Sequence, residues 1–171
     1  MKNLLILAFL LATPAFAQNQ AATARTAAGC GPNDVQFDVR LDDSLHVLAQ
    51  PEEGKAIVYV FEDDLSGPTM RIGVDGYWVG ATNNKSFLYF SLAPGEHSVC
   101  TEWQSTVFKK TSERIGAAIS LSVEAGKVYF VRMTFEEITK ASGRIRLAMT
   151  DNAEGQFLLA SSSLSNSHPK K

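Results

Sequence analysis

The stretch "TMRIGVDGYWVGA", residues 69–81, decides the fold because it carries the strongest hairpin signal in the chain. Apolar residues alternate on both sides of Asp75-Gly76, and this dipeptide tolerates the positive φ values that both central positions of a type I′ turn require. We therefore predict a β-hairpin with its tip at Asp75 and Gly76. The turn also fixes the expected cross-strand partners, which are Val74 with Tyr77, Gly73 with Trp78, Ile72 with Val79, and Arg71 with Gly80.

The two faces of this hairpin differ in character. Side chains alternate between the faces of a strand, and the register places four apolar residues on one surface: Ile72, Val74, Tyr77 and Val79. Trp78 lies on the opposite surface with Gly73. An aromatic ring over a strand glycine fills the space that the missing side chain leaves, so we expect Trp78 to cover Gly73. The alternative is that its ring forms a platform on which a ligand stacks.

Other parts of the chain repeat the β pattern. The apolar run "KAIVYVF" at 55–61 is typical of a buried strand, and Pro94-Gly95 in "APGEH" has the chemistry of a type II turn. Such short runs between frequent turn signals predict an all-β fold, a single antiparallel β-sandwich of about seven or eight strands. One short C-terminal helix is expected over 152–161, with Asp151 as its N-cap and Glu154 in the capping-box position. Gly155 should weaken that helix by about 1 kcal/mol.

The first residues predict export. A positive Lys2, an apolar run and the small-residue signature at 15–17 together indicate a signal peptide over residues 1–17. We expect a flexible leader at 18–29, the β-sandwich domain at 30–160 and a disordered tail at 161–171. The mature chain has no predicted transmembrane segment and does not resemble a lipoprotein. The expected location is the periplasm, with secretion as the alternative.

Both cysteines, Cys30 and Cys100, lie in the exported part. Two cysteines in an oxidising compartment favour a disulfide over a metal or catalytic site. The closed loop would contribute roughly 4 kcal/mol to stability in the chain-entropy model. Free thiols and intermolecular bonds remain as alternatives.

The residues that most often carry chemistry do not form a recognisable site. His97 and Cys100 are three positions apart in a predicted strand, and their side chains should point to opposite faces. His46 lies in a loop, and no spacing typical of a zinc site occurs. The formal net charge of −2 and the scattered charges argue against nucleic-acid binding. We expect no catalytic residue, no metal and no cofactor, and we predict that the protein is not an enzyme.

Three segments carry a resemblance to a known family: "GKAIVYVF", "GPTMRIGVDGYWVGATNNKSFLYFSLAPGEHSVC" and "LSVEAGKVYFVRM". In this order they resemble a bacterial exported family, domain of unknown function 2846, across about Gly54 to Met133. The middle segment is also similar to PEGA-type surface modules, which have a VDG hairpin followed by a PGEH turn. The resemblance implies a β-sandwich module of the kind found in periplasmic proteins or lipoproteins. It implies no catalytic residues.

The leading hypothesis is an exported, non-catalytic β-sandwich that binds or scaffolds a cell-envelope component, either a protein or a glycan. For a glycan, the candidate binding residues are four aromatic side chains: Trp78, Tyr77, Trp103 and Tyr89. The alternative is a small secreted hydrolase or enzyme inhibitor that uses His97 or His46. A third possibility is a structural subunit that acts only within an assembly, and the sequence leaves the oligomeric state open.

Overall fold

The computed structural model describes residues 30–46, 48–64, 67–104, 116–139 and 142–171. The predicted signal peptide at 1–17 and leader at 18–29 lie outside these residues. The described chain forms ten strands and one helix. In chain order they are β1 (Phe37–Asp42), β2 (Ala56–Glu62), β3 (Met70–Val74), β4 (Tyr77–Thr82), β5 (Ser86–Leu92), β6 (Gly95–Trp103), β7 (Gly116–Val123), β8 (Val128–Thr139), β9 (Ser142–Thr150), α1 (Asn152–Ser161) and β10 (Ser163–Pro169).

The strands form two sheets, which confirms an all-β fold. The first sheet has six strands in the order β1-β10-β5-β2-β8-β9, and the second has four in the order β4-β3-β6-β7. The expectation of a purely antiparallel arrangement is wrong, because β2 pairs with β8 and β10 pairs with β5 in parallel. Between β2 and β8 the chain crosses to the four-stranded sheet twice, first as β3 and β4 and then as β6 and β7, and it forms β5 of the first sheet between the two crossings.

The Asp75-Gly76 turn has the predicted conformation, with φ of 51° at Asp75 and 88° at Gly76. The first two predicted pairs, Val74 with Tyr77 and Gly73 with Trp78, are also present. Beyond them a β-bulge shifts the register, so that Ile72 pairs with Gly80. The predicted Ile72–Val79 and Arg71–Gly80 pairs are therefore wrong, and Tyr77 and Val79 are exposed instead of joining the apolar surface.

One apolar cluster contains buried residues of both sheets, which gives the molecule a sandwich-like organisation. The six-stranded sheet contributes residues of β2, β5, β8 and β9, and the four-stranded sheet contributes residues of β3, β6 and β7. A second cluster lies on the other face of the six-stranded sheet, beneath α1. Strand β2 belongs to both clusters: Val58 and Val60 face the first, while Tyr59 and Phe61 face the second.

Helix α1 begins as predicted. The carboxylate of Asp151 accepts a hydrogen bond from the backbone N–H of Glu154 at 2.8 Å and so caps the helix. Gly155, which helix propensity alone would disfavour, is buried against the sheet. A Cβ atom at this position would lie 2.2 Å from Cγ of Phe130. The glycine thus allows the helix to approach β8 closely.

The prediction of a disordered tail at 161–171 is wrong for most of that segment. Residues 163–169 form β10, and residues 164–169 of this strand pair with β1. Two serine side chains of β10 also bond to the backbone of β4. Ser165 Oγ donates to the carbonyl of Ala81 at 2.5 Å, and Ala81 N–H donates to Ser167 Oγ at 3.0 Å. The strand is held by backbone and hydroxyl groups, which apolar periodicity does not report.

The N-terminal end of the described chain is fixed by the predicted disulfide between Cys30 and Cys100, whose Cα atoms are 5.7 Å apart. The bridge lays the backbone of Cys30 across β3. A Cβ atom on Gly73 would lie 2.4 Å from the carbonyl oxygen of Cys30, so only glycine leaves room for this crossing.

Candidate functional site

Trp78 is half-buried, and it does not cover Gly73 as predicted. The Cys30 backbone occupies the space over Gly73, and the indole of Trp78 lies against Gly31 instead. The indole N–H donates to the carbonyl of Pro32 at 2.8 Å, and the guanidinium carbon of Arg71 lies 4.3 Å from the ring centroid. These contacts anchor the N-terminal segment on the four-stranded sheet.

The other three predicted aromatic residues do not form one surface with Trp78. Tyr77 pairs with Val74 at one end of β3, and Trp103 pairs with Met70 at the other end, roughly 13 Å away at the usual rise of a strand. Trp103 packs partly buried against the core that the two sheets share. Tyr89 belongs to the six-stranded sheet, where its ring stacks on Tyr59 at 5.2 Å. The four candidate residues therefore lie on separate surfaces, and glycan binding by any one of them stays a prediction.

His97 and Asp75 connect two turns, which the sequence did not reveal. Nδ1 of His97 lies 2.7 Å from one carboxylate oxygen of Asp75, and Nε2 lies 2.8 Å from the carbonyl of Ala93. The other oxygen of Asp75 accepts the backbone N–H of Ser98 at 2.9 Å. The VDG and PGEH segments are thus joined by one carboxylate and one imidazole.

His46 is also engaged with backbone carbonyls. Its two ring nitrogens lie 3.1 Å from the carbonyl of Leu159 and 2.8 Å from that of Asp43. Within the described ranges, no three side chains of His, Cys, Asp or Glu are grouped so that they could hold a metal ion. Those ranges also contain no helix with the length and apolarity that a membrane crossing needs.

The most unusual polar group in the described chain is the carboxyl group of Glu62. The alternate residues Ala56, Val58 and Val60 of β2 face the shared core, and Glu62 continues this row at the end of the strand. Only 3% of its surface is exposed. Neither carboxyl oxygen has a hydrogen-bond partner among the described residues. Buried polar groups in proteins are nearly always hydrogen-bonded, so this carboxyl group requires an explanation.

Glu62 lines a small pocket at the end of the shared core. The pocket has a volume of about 20 Å³, and its walls come from both sheets and from the connection after β2. The lining residues are Glu62, Asp64, Gly67, Pro68, Met70, Met133, Thr134, Phe135 and Ile145. Gly67 leaves space for the carboxyl group, since a Cβ atom there would clash with Oε1 of Glu62. Phe135 lines the pocket and is 46% exposed, so it lies between the pocket and the surface.

Burial raises the pKa of Glu62 from 4.5 to about 8, and the nearby charge of Asp64 acts in the same direction. The hydroxyl of Thr82 lowers the pKa in part, although it is not in hydrogen-bonding geometry with Glu62. Glu62 is therefore mostly neutral at pH 7. A neutral carboxyl group both donates and accepts a hydrogen bond, and it becomes an anion when a cation approaches.

Asp63, the next residue in the chain, differs from Glu62 because it has a basic partner. Asp63 points away from the pocket and forms an ion pair with Arg132 at 2.5 Å. Arg132 also pairs with Glu154 at 2.7 Å. These two partly exposed carboxylates share Arg132, whereas Glu62 has no basic partner within the described ranges. The alternation in β2 was a signal in the sequence that places Glu62 in the core row.

These features define an all-β protein of two sheets with a carboxyl-lined pocket at one end of their common core. The chain belongs to the family described as protein of unknown function (DUF2846), whose model matches residues 52–144. This match confirms the family resemblance and includes most of the pocket residues. The similarity to PEGA-type modules remains a prediction.

A relative with a curated sequence is an uncharacterized protein of Haemophilus influenzae. It is 24% identical over 120 residues, which cover 69% of this chain and 66% of that protein. The matched part of the chain thus spans just under two thirds of the relative's length. No solved structure gives a significant match.

Proposed function

We propose that this protein is an exported, non-catalytic β-sandwich module that binds or scaffolds a cell-envelope component, a protein or a glycan, through the Glu62 pocket. The observation that carries the proposal is a buried carboxyl group that has no hydrogen-bond partner in the described part of the chain and faces a pocket next to an exposed phenylalanine. In the proposed β-sandwich the two sheets that share the core are the two layers, and the pocket lies at one open end between them.

The energetics of Glu62 support a binding role. A carboxyl group that is buried without a partner costs roughly 1–3 kcal/mol of stability. A methionine of similar size in this position would pack against the apolar walls without this loss of stability. Polar groups that weaken a fold are typical of functional sites, where a ligand supplies the missing partner.

The chemistry around the pocket favours binding over catalysis. Its lining residues in the described chain include two carboxyl groups but no histidine or cysteine. His97 and His46 make their contacts in turns and with backbone carbonyls. Hydrolytic sites generally require a nucleophile or activated water together with a base and a group that stabilises charge.

Two further features support export to the envelope. The residues at 1–17 have the pattern of a signal peptide, and the Cys30–Cys100 disulfide fits an oxidising compartment. The similarity of the VDG and PGEH segments to PEGA-type surface modules points in the same direction. We propose the periplasm as the location, with secretion as the alternative.

Site-specific photo-crosslinking in intact cells tests this function. A benzophenone amino acid replaces Phe135 at the pocket or, as a matched control, Phe157 on helix α1. Both phenylalanines are exposed, at 46% and 69%, but Phe157 lies outside the pocket. We expect a discrete envelope adduct from position 135 that position 157 does not give. Equal adducts from both positions, or none from position 135, would contradict binding at this pocket.

A further inference from the structure

Each polar side chain that lines the Glu62 pocket in the described chain is either acidic or uncharged. The lining contains two acids, Glu62 and Asp64, and one hydroxyl, that of Thr134. It contains no basic residue among those described. Arg132 lies on the neighbouring strand, but it is paired with Asp63 and Glu154 instead. The pocket therefore offers acceptors and negative charge, which select a cationic donor.

The walls of the pocket indicate what should be attached to that cation. Met70, Met133, Phe135 and Ile145 surround the acids with apolar surface. Unbranched thioether side chains adapt to flexible aliphatic chains. An aromatic ring adds attraction for a cation that passes near its face. A methylene stem would fit these walls better than a hydroxylated sugar ring.

The size of the pocket sets a further limit. A volume of about 20 Å³ is enough for one water-sized group, since a single buried water needs about 10–15 Å³. An ammonium group meets this limit. A planar guanidinium group and a quaternary ammonium group are both larger than a water molecule. The pocket is thus suited to the end of a chain and not to a whole ligand.

We infer that the Glu62 pocket binds an aliphatic primary ammonium group, carried by a free alkylamine or by a lysine side chain of a partner. This inference rests on the proposed function, because it names the group that the pocket recognises. Glu62 loses its proton to solvent as the ammonium group enters, and the resulting carboxylate accepts hydrogen bonds from the ammonium N–H groups. No covalent bond forms or breaks apart from this O–H bond.

Proton release gives the binding a defined pH dependence. The elements around Glu62 contribute Asp64 as a second titratable group, and the hydroxyls of Thr82 and Thr134 do not ionise in this range. With a pKa of about 8, the ionised fraction of Glu62 rises about fiftyfold between pH 6 and pH 8. The affinity for an alkylammonium ion should rise by a similar factor, because such ions keep their charge to about pH 10.

Methionine methyl groups provide a direct readout by NMR. Residues 18–171 are labelled with ¹³C-methyl methionine and titrated with n-butylamine, 1-butanol or butyrate, three probes of equal chain length. Met70 and Met133 line the pocket, whereas the exposed Met149 does not and serves as the internal control. We expect butylammonium to shift the signals of Met70 and Met133 with a saturable dependence, and butanol and butyrate to bind at least about tenfold more weakly.

Variants establish whether the carboxyl group is responsible. Glu62→Gln keeps the shape of the side chain and should lower butylammonium affinity at pH 8 by tenfold or more, with loss of the pH dependence. Glu124→Gln, in the exposed connection between β7 and β8, is the matched control and should bind as the wild type does. A capped lysine peptide compared with butylamine distinguishes a polypeptide source of the amine from a free one.

Three results would overturn the inference: equal binding of butanol and butylammonium, an affinity that does not change between pH 6 and pH 8, or unchanged binding by a folded Glu62→Gln variant. Methyl spectra like those of the wild type show that this variant is folded. Failure here is distinguishable from failure of the proposed function. An adduct at position 135 with no amine binding leaves the module a binder of another chemical group.

Discussion

Replacing Glu62 with glutamine will remove most of the dependence of stability on pH between about pH 4.5 and pH 8. In the folded protein burial raises the pKa of Glu62 to about 8, whereas the unfolded chain has the ordinary value of 4.5. Between these two values the folded state binds a proton that the unfolded state has released. Stability therefore falls as the pH rises through this window, because deprotonation favours the unfolded chain.

The size of the effect follows from the two pKa values, which are about 3.5 apart. Each pKa unit corresponds to about 1.4 kcal/mol, so the free energy of unfolding should fall by up to roughly 5 kcal/mol from pH 4.5 to pH 8. Below pH 4.5 the carboxyl group is protonated in both states, and above pH 8 it is ionised in both. The contribution of Glu62 is then constant. A loss of this size is comparable to the entire stability of many domains.

Urea unfolding at intervals between pH 4 and pH 9 measures this effect. The difference in unfolding free energy between the wild type and Glu62→Gln should change by about 1 kcal/mol per pH unit within the window, with the variant becoming relatively more stable as pH rises. Glu124→Gln, at an exposed position, should follow the wild type. Parallel curves for the wild type and Glu62→Gln would refute the assignment of a raised pKa and the burial that causes it.

Three further substitutions test the packing. Gly155→Ala should destabilise the protein by about 1–3 kcal/mol in thermal unfolding, because the new methyl group would clash with Phe130. Alanine favours helices more than glycine does, so a gain in stability would contradict the close packing. Replacing Cys30 and Cys100 together by alanine should cost about 2–5 kcal/mol in urea without reductant, and a loss below about 1 kcal/mol would argue against the bridge. Asp75→Ala should lower the free energy of unfolding by about 1–3 kcal/mol, because alanine is strained at positive φ and the hydrogen bonds to His97 and Ser98 are lost. Unchanged stability would show that Asp75 does not link the two turns.

Local rules predicted those parts of the fold that are set by a few neighbouring residues. The Asp75-Gly76 turn, the Asp151 cap and the disulfide each depend on residue types with a narrow set of uses. The register of the hairpin was correct only for the two pairs next to the turn. The bulge beyond Gly73 adds one residue to β4, and no residue type in the stretch marks this shift.

Strand β10 shows why a strand can escape sequence analysis. The segment 163–169 has few apolar residues and no alternation that would predict a buried face. It is nevertheless a strand because β1 and β5 supply backbone partners on its two sides. Ser165 and Ser167 add hydroxyl contacts with β4. Its structure depends on distant segments, which a local pattern does not contain.

The candidate site was partly readable from the sequence. The row Ala56, Val58, Val60 and Glu62 has the spacing of one strand face, so the glutamate could have been placed in the core. Its pocket could not have been predicted, because Met70, Met133 and Ile145 reach it from three other strands. The prediction for Trp78 was also only partly correct. Trp78 does pair with Gly73, but the backbone of Cys30 covers this glycine, and the disulfide with Cys100 holds Cys30 there.

The VDG and PGEH segments, on which the family resemblance depends, lie away from the pocket. Val74 at one end of β3 leads into the turn at Asp75, whose carboxylate bonds to His97 and Ser98, while Met70 at the other end of β3 lines the pocket. If the proposed function is correct, the turn residues act on the stability of the hairpin, and the residues around Glu62 act on ligand selection. Substitutions in the turn and at Glu62 should be separable: those in the turn lower the unfolding free energy and leave amine selectivity unchanged, whereas Glu62→Gln changes selectivity without lowering stability at pH 8. Coupled effects would mean that the turn and the pocket form a single site.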